Sequence, residues 1–346
     1  MSQSQSSLLS PLSSTYAAAG VDISAAEENV RRIGGHVRST HGPQVLGDFG
    51  AFAGLFHLRD VRDPVLVAST DGVGTKVLLG LRLGRYDVLG RDLVNLSVND
   101  VLTTGARPLF FLDYVGLSAI DHAVMEALVA GMAVACRENG CALLGGETAQ
   151  LPELYAEGHM DLAGTVVGVV ERDALIDGSR VQAGDRVWGL PSTGLHTNGF
   201  SLARRLVEPL DLSADVDGRL GQSLGDALLA AHPSYYATIR PVLGQLKAIA
   251  HITGGGVPGN LPRVLPPDVS VELSWGAWPV PPIFGVLQDL GQLAFDEMQR
   301  VFNMGLGLVF VTAPDVDVRT ECPAALEIGR VTPLQPDRII TKGRPS

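Results

Sequence analysis

Val65-Leu-Val-Ala-Ser-Thr70 followed by Asp71-Gly-Val-Gly-Thr-Lys76 is the stretch on which the reading of the fold turns. A short apolar run stops abruptly at Asp71-Gly72-Val73-Gly74, which reads as a buried strand feeding a loop. Charge therefore stands at a strand's end. Gly72 and Gly74 let backbone N–H groups face phosphate oxygens, Thr75 adds a hydroxyl, Lys76 supplies a compact positive charge and Asp71 can hold Mg²⁺. The spacing is not that of a Walker A loop. A tight turn with solvated charges is the alternative.

Outward from this loop the pattern alternates. Tyr86 to Thr104 carries a helical apolar spacing ending at Gly105, Leu109 to Val115 reads as a strand, and Asp121 to Asn139 is an amphipathic helix closed by Gly140. Strand Cys141 to Leu144 runs into a Gly145-Gly146-Glu147-Thr148 loop, and Leu162 to Val170 is a further β-rich run. Polar, glycine-containing sequence from Asp177 to Asp185 precedes a new apolar strand, Arg186 to Leu190. The boundary is placed there, giving domains 16–176 and 177–346. In the second, helices are expected over Phe200 to Val207, Pro233 to Ala250, Pro282 to Leu290 and Asp296 to Val301, with a strand over Gly305 to Thr312. The fold class is α/β (α+β).

A chain of 346 residues, 46% hydrophobic with 41 glycines, can bury a sizeable core but suggests many strand-to-loop transitions rather than a helical bundle. The net charge of -11 argues against a nucleic-acid partner, because no positive field is available for a phosphate backbone. Cys136, Cys141 and Cys322 are too few and wrongly spaced for a disulfide framework or zinc clamp. Residues 1–15 read as a disordered extension, and no Lys or Arg precedes Arg31, which removes leader and transit peptides. No apolar run approaches the roughly 20 residues that cross a bilayer. A cytoplasmic protein without membrane contact is expected.

Asn99-Asp100 lies in an otherwise apolar helical run, where an unpaired carboxylate is costly to bury. A divalent cation shared with Asp71, with Glu147 as a third oxygen ligand, would compensate it; so would capping or an ion pair. Gly47-Asp48-Phe49-Gly50-Ala51-Phe52-Ala53-Gly54 suits a flap over a nucleotide or an ordinary surface loop. Ser192 to Phe200 collects hydroxyls, His196 and Asn198 before a helix, as an anion site or as a capping loop with an exposed histidine. Gly254, Gly256 and Gly259 match G-x-G-x-x-G only formally, since Pro258 sits in the opening turn and no acidic residue follows at the ribose-binding distance. A backbone nest for a monophosphate or a tight turn fits better.

Taken together and in order, these segments closely resemble the phosphoribosylformylglycinamidine cyclo-ligase (aminoimidazole ribonucleotide synthetase) family. The matching stretches are 19–23, 45–56, 70–76, 98–100, 105–114, 145–149, 161–164, 192–201, 253–266 and 298–305. The resemblance implies a homodimer whose N-terminal four-stranded sheets form a barrel-like core, a C-terminal mixed-sheet α/β domain, and a site between domains. It implies ATP-dependent closure of an imidazole ring, from formylglycinamidine ribonucleotide to aminoimidazole ribonucleotide, in purine biosynthesis. ATP would phosphorylate the formyl oxygen, a poor leaving group, and the amidine nitrogen would then displace phosphate.

On that resemblance Asp71, Asp100 and Glu147 hold Mg²⁺, Lys76 steadies the triphosphate, and Gly47, Asp48, Gly50 and Gly54 close over it beside Gly72, Gly74 and Thr75. Asp100, His196, Asn198 and Lys76 form the catalytic set. His196, Thr197 and Asn198 orient the reacting groups, and Thr253, Gly254, Gly255 and Gly256 receive the ribose phosphate, with His251 a lesser candidate. The chain departs from the family pattern at Gly34, where relatives carry lysine, at Ala51, Ala53 and Gln150, and at Pro233-Ser234-Tyr235, where a Pro-Thr-Arg run is usual. Selenophosphate synthetases, thiamine monophosphate kinases and hydrogenase maturation enzymes share the superfamily; residues 47–54 lack the reactive Cys of the first.

Overall fold

A computed structural model of the protein describes residues 21–344, so the extension expected over 1–15 lies outside the described residues. The N-terminal half runs helix α1 (Ile23–Arg38), a ribbon of β1 (Val45–Leu46) and β2 (Leu55–Phe56), strand β3 (Pro64–Gly72), helices α2 (Lys76–Leu83) and α3 (Tyr86–Leu102), β4 (Arg107–Leu117), α4 (His122–Asn139), β5 (Ala142–Gln150) and β6 (Met160–Glu171). Four of these strands form one sheet in the order β3-β6-β4-β5. Only the β4–β5 pair is parallel.

Side chains alternate along β3. Val65 and Val67 turn inward against the core around α3 and α4, while Leu66 is 63% exposed on the opposite face. Local chemistry fixes the helix ends: Asp121 accepts from the N–H groups of Ala123 and Val124 to start α4, and Gly140 closes it at φ 66°. The helices cross closely because Gly90 of α3 packs on the Leu128 carbonyl and Gly131 of α4 on that of Asp87. A methyl group at either would collide with backbone.

The C-terminal half contains β7 (Arg186–Pro191), α5 (Phe200–Val207), α6 (Leu224–Leu228), α7 (Tyr236–Ile239), β8 (Leu246–His251), α8 (Gly256–Asn260), β9 (Val269–Ser274), α9 (Pro282–Gly291), α10 (Phe295–Val301), β10 (Leu306–Thr312), β11 (Leu326–Pro333) and β12 (Ile339–Lys342). Its six-stranded sheet has the order β12-β9-β11-β7-β10-β8, antiparallel except for β12 on β9. All seven residues of β10 are buried, because Val309 and Val311 enter one core and Leu308 and Phe310 another. A continuous apolar run is what a strand covered on both faces requires.

Two expectations fail locally. The helix expected over Pro233 to Ala250 is instead the short α7, a 3₁₀ segment (Arg240–Gln245) and strand β8. Pro241 lacks the N–H that a continuing α-helix needs, and Gly244 follows it in the 3₁₀ segment. Gly145 to Thr148 is not a loop but part of β5, paired with β4 as far as Leu117↔Gln150. Gly146 allows this by leaving room for the Asp113 carboxylate, which a Cβ would strike. Helix α1 and strands β9, β11 and β12 lie outside the elements read from sequence.

Candidate active site between the two sheets

A cleft of about 600 Å³ opens where the end of β3 and helix α3 meet β8 and the loop after it. Asp71, Asp100, His251, Thr253, Asn260 and Arg263 line it, with Ser69, Thr103 and Thr104. Residues far apart in sequence thus share one wall-to-wall space. Asp100 is held on both oxygens: Ser69 Oγ donates to Oδ2 at 2.9 Å, and His251 Nδ1 lies 2.8 Å from Oδ1. Partial burial raises the Asp71 carboxyl above its ordinary range, the Gly72 N–H opposes this, and the nearby Asp100 charge adds to the rise. Two crowded carboxylates of this kind are a natural seat for a divalent cation.

Asn260 organises the glycine loop. Its Nδ2 donates to the carbonyls of Thr253, Gly254 and Gly256 at 3.3, 3.2 and 2.9 Å. Arg263, an exposed cation that the sequence reading did not single out, donates to Asn260 Oδ1 at 3.2 Å and stands in the cleft. Its place within the matched 253–266 stretch was the available signal. Gly256, at φ 57°, faces away from the cleft, since a Cβ there would strike the carbonyls of Gln299 and Phe302. Gly254 sits beside Asn198 Oδ1, and Gly255 takes φ 97°. The five-residue α8 that begins here contains Pro258, so the glycines make a tight turn rather than a dinucleotide-binding helix start.

Lys76, His196, Thr197 and Asn198 lie at different depths behind the cleft. Lys76 does not face a phosphate: its side chain is 0% exposed, pairs with Asp92 at 2.5 Å and donates to the Ala230 carbonyl at 2.9 Å. His196 is not the exposed histidine of a capping loop but is 1% exposed, stacked on His232 with ring centroids 4.1 Å apart. Burial holds both imidazoles well below their usual range, with nearby His251 and Lys76 adding to it, so both are neutral. Thr197 is buried beside them and Asn198 is half-buried, its Nδ2 3.4 Å from Thr197 Oγ1.

Glu147 does not join Asp71 and Asp100 within the chain. It lies on β5, the opposite edge of the sheet from β3, about 14 Å across three strand gaps. There it lines a separate cavity of about 230 Å³ with Asn29, Ile33, Phe49 and Asp113. Among the described residues no group of three or more His, Cys, Asp or Glu is placed to hold a metal. The 47–54 segment follows Glu147: Phe49 enters that second cavity and Gly54 packs on Leu144 of β5, while Gly47 and Gly50 take φ 81° and 99°. Asp48 is exposed and lines neither space. Gly72 abuts the Leu162 carbonyl, Gly74 approaches that of Thr197, and Thr75 Oγ1 meets Ser201 Oγ at 3.1 Å, so these three tie β3 and α2 to their neighbours.

Residues 50–170 match the family model described as AIR synthase related protein, N-terminal domain, and residues 182–342 match its C-terminal counterpart. A curated phosphoribosylformylglycinamidine cyclo-ligase of Myxococcus xanthus is 48% identical over 334 residues, covering 92% of this chain and 96% of that protein. The chain belongs to the phosphoribosylformylglycinamidine cyclo-ligase family. A cyclo-ligase of Sorangium cellulosum is similar at 49% identity, covering 87% of this chain and 88% of its own. Among solved structures, thiamine-monophosphate kinase from Stenotrophomonas maltophilia superposes with a TM-score of 0.66 at 21% identity, covering 93% and 97% of the two chains. A hydrogenase maturation protein HypE in complex with ATP gives 0.63 at 18%, covering 89% and 88%. These distant likenesses establish the fold this cyclo-ligase relative shares with them, and nothing finer.

Proposed function

We propose that the protein catalyses ATP-dependent cyclisation of formylglycinamidine ribonucleotide to aminoimidazole ribonucleotide, releasing ADP and phosphate, and that the cleft between the sheets houses the reaction. The observation that carries the site is Asp100: a carboxylate braced on both oxygens, beside Asp71, facing a Thr253–Arg263 wall from the other half of the chain. Near-half identity to named cyclo-ligases across almost the full length supports the reaction itself.

The division of labour follows from the charges. Arg263 and the Thr253 hydroxyl offer donors for the ribose phosphate, and Asn260 keeps their loop in place. Asp71 and Asp100 would hold Mg²⁺, which when bound neutralises charge on the transferring phosphoryl group. His251 fixes the plane of the Asp100 carboxylate. Phosphoryl transfer to the formyl oxygen and attack by the amidine nitrogen then need reactants held in line more than covalent help.

The protein is proposed to act as a homodimer. Both edges of the N-terminal sheet, β3 and β5, lack a neighbour in the sheet, and its outer face shows Leu66, Leu112 and Tyr114 at 63, 36 and 39% exposure. A second copy seated edge to edge would close an eight-stranded barrel-like core and carry its own Glu147 and 47–54 segment towards Asp71. Buried reduced Cys136, Cys141 and Cys322 support a cytoplasmic setting, and no helix among the described residues is long and apolar enough to cross a membrane. Supplying the substrate, ATP and Mg²⁺ and following aminoimidazole ribonucleotide with ADP tests the proposal. Equal amounts of both products support it, and absence of the imidazole product overturns it.

A further inference from the structure

Three polar residues of α3, Asp92, Asn95 and Asn99, share one face of an otherwise apolar helix. Together they grip the backbone of the 232–235 segment. His232 N–H donates to Asp92 Oδ1 at 2.7 Å, Asn95 Nδ2 to the His232 carbonyl at 2.8 Å, Asn99 Nδ2 to the Pro233 carbonyl at 2.9 Å, and Tyr235 N–H to Asn99 Oδ1 at 2.9 Å. Lys76 and Thr193 hold the carbonyls of Ala230 and Ala231 just before it. A stretch with little regular structure thereby has its backbone groups tied to side chains from residue 230 to residue 235. It includes the positions at which this chain departs from the family's Pro-Thr-Arg run.

What this grip delivers is the His232 ring. Its Nε2 lies 3.1 Å from His251 Nε2 and 3.2 Å from Asn99 Nδ2, its Nδ1 lies 3.4 Å from Thr197 Oγ1, and its face stacks on His196. The two backbone partners of Asn99 fix its amide so that an N–H points at His232 Nε2, which is therefore an acceptor. His251 must then supply the hydrogen between the two Nε2 atoms and, because the Asp100 carboxylate only accepts, a second hydrogen from Nδ1, so this geometry sets an imidazolium on the carboxylate. With His232 at one nitrogen and Asp100 at the other, the His251 ring has one orientation, and the Asp100 carboxylate takes its plane from that ring and from Ser69.

We propose that His232, which touches no space in the cleft, is a positioning residue for the reaction: it holds His251, and through it Asp100, in the reactive arrangement. This rests on the cleft being the site of cyclisation. Residues that orient the groups bonded to a metal-binding carboxylate typically matter about 10- to 100-fold in activity, and His232 acts in this way through His251. His232→Leu keeps the volume and removes the acceptor, whereas His232→Gln can return an amide oxygen to the place of Nε2.

The experiment compares kcat, the KM values for ATP and substrate, and melting temperature in the full-length wild type and both variants. We expect His232→Leu to lose about 10- to 100-fold in kcat with KM values near wild type, and His232→Gln to recover most of the loss while melting no higher than the Leu variant. Wild-type kcat in His232→Leu, no recovery in His232→Gln, or losses that track melting temperature in both would overturn the inference. Should the Leu variant not fold, His232→Asn, whose amide is too short to reach His251, replaces it, and wild-type kcat there overturns it equally. A wild type that forms no imidazole product sinks the proposed reaction instead, so the two failures are told apart.

Discussion

Asp92 and Asp100 stand roughly two turns apart on the same apolar helix, yet one is a girder and the other faces the chemistry. The Asp92 side chain is 0% exposed, ion-paired with Lys76 and bonded to the His232 N–H; the Asp100 side chain is 29% exposed and opens into the cleft. Burial pushes the Asp92 carboxyl upward, and Lys76 with the His232 N–H pulls it back. Asp100 is braced by two side chains, Ser69 and His251, and by no lysine or arginine. Both carboxylates, set in an apolar helix, need compensation. What differs is that the Asp92 pair is sealed inside the fold, whereas Asp100, paired with His251, keeps an open side for a ligand.

Breaking the comparison at its chemical end should give the largest effect. Asp71→Asn removes one of the two carboxylates in the cleft and is expected to lower kcat/KM by ~10²-fold or more while the melting temperature stays near that of the wild type. Steady-state rates at saturating Mg²⁺ check this. At the structural end, Lys76→Met leaves Asp92 buried without its cation and should cost about 3–5 kcal/mol of stability, read from urea unfolding. If Lys76 instead steadied the triphosphate, the same variant would unfold like the wild type and lose affinity for ATP.

A third carboxylate sharpens the contrast through pH. Burial pushes the Asp113 carboxyl up to about 7, with Glu147 adding to the rise. A raised folded-state value means that Asp113 favours the folded protein below its unfolded value, near 4, and that this contribution is lost as pH climbs towards 7. Asp113→Asn should therefore flatten the decline of stability across that interval, measured by urea midpoints at successive pH values, and an unchanged slope would contradict the assignment. The smallest effect is expected at Tyr235, whose buried hydroxyl donates to the Pro191 carbonyl at 2.9 Å. Tyr235→Phe should cost about 1 kcal/mol.

Asp92 also marks what the sequence could disclose. The strand ending at Asp71, the helices bounded by Gly105 and Gly140 and the buried β10 run were legible because each is governed by local periodicity and glycine placement. The expected helix over 233–250 was not, because Pro241 and α3 override an apolar spacing that two kinds of element share. Charges in a motif were assigned to ligands because pattern reading sees spacing but not burial. Spacing alone gives Lys76 to phosphate, whereas its partner is a carboxylate in the following helix. His232 carried no local signal; only the folded α3 face shows why it is there. Glu147 was grouped with Asp71 by its strand-end character, whereas the strand order separates them to opposite sheet edges.

The account depends on Asp100 doing chemistry while Asp92 does not touch it. The most direct measurement is product formation from formylglycinamidine ribonucleotide, ATP and Mg²⁺ by wild type and Asp100→Asn at one temperature, with melting curves for both. The account predicts aminoimidazole ribonucleotide and ADP in equal amounts from the wild type, and turnover reduced by ~10²-fold or more in an Asp100→Asn protein that melts like it. Unchanged turnover by Asp100→Asn would contradict it.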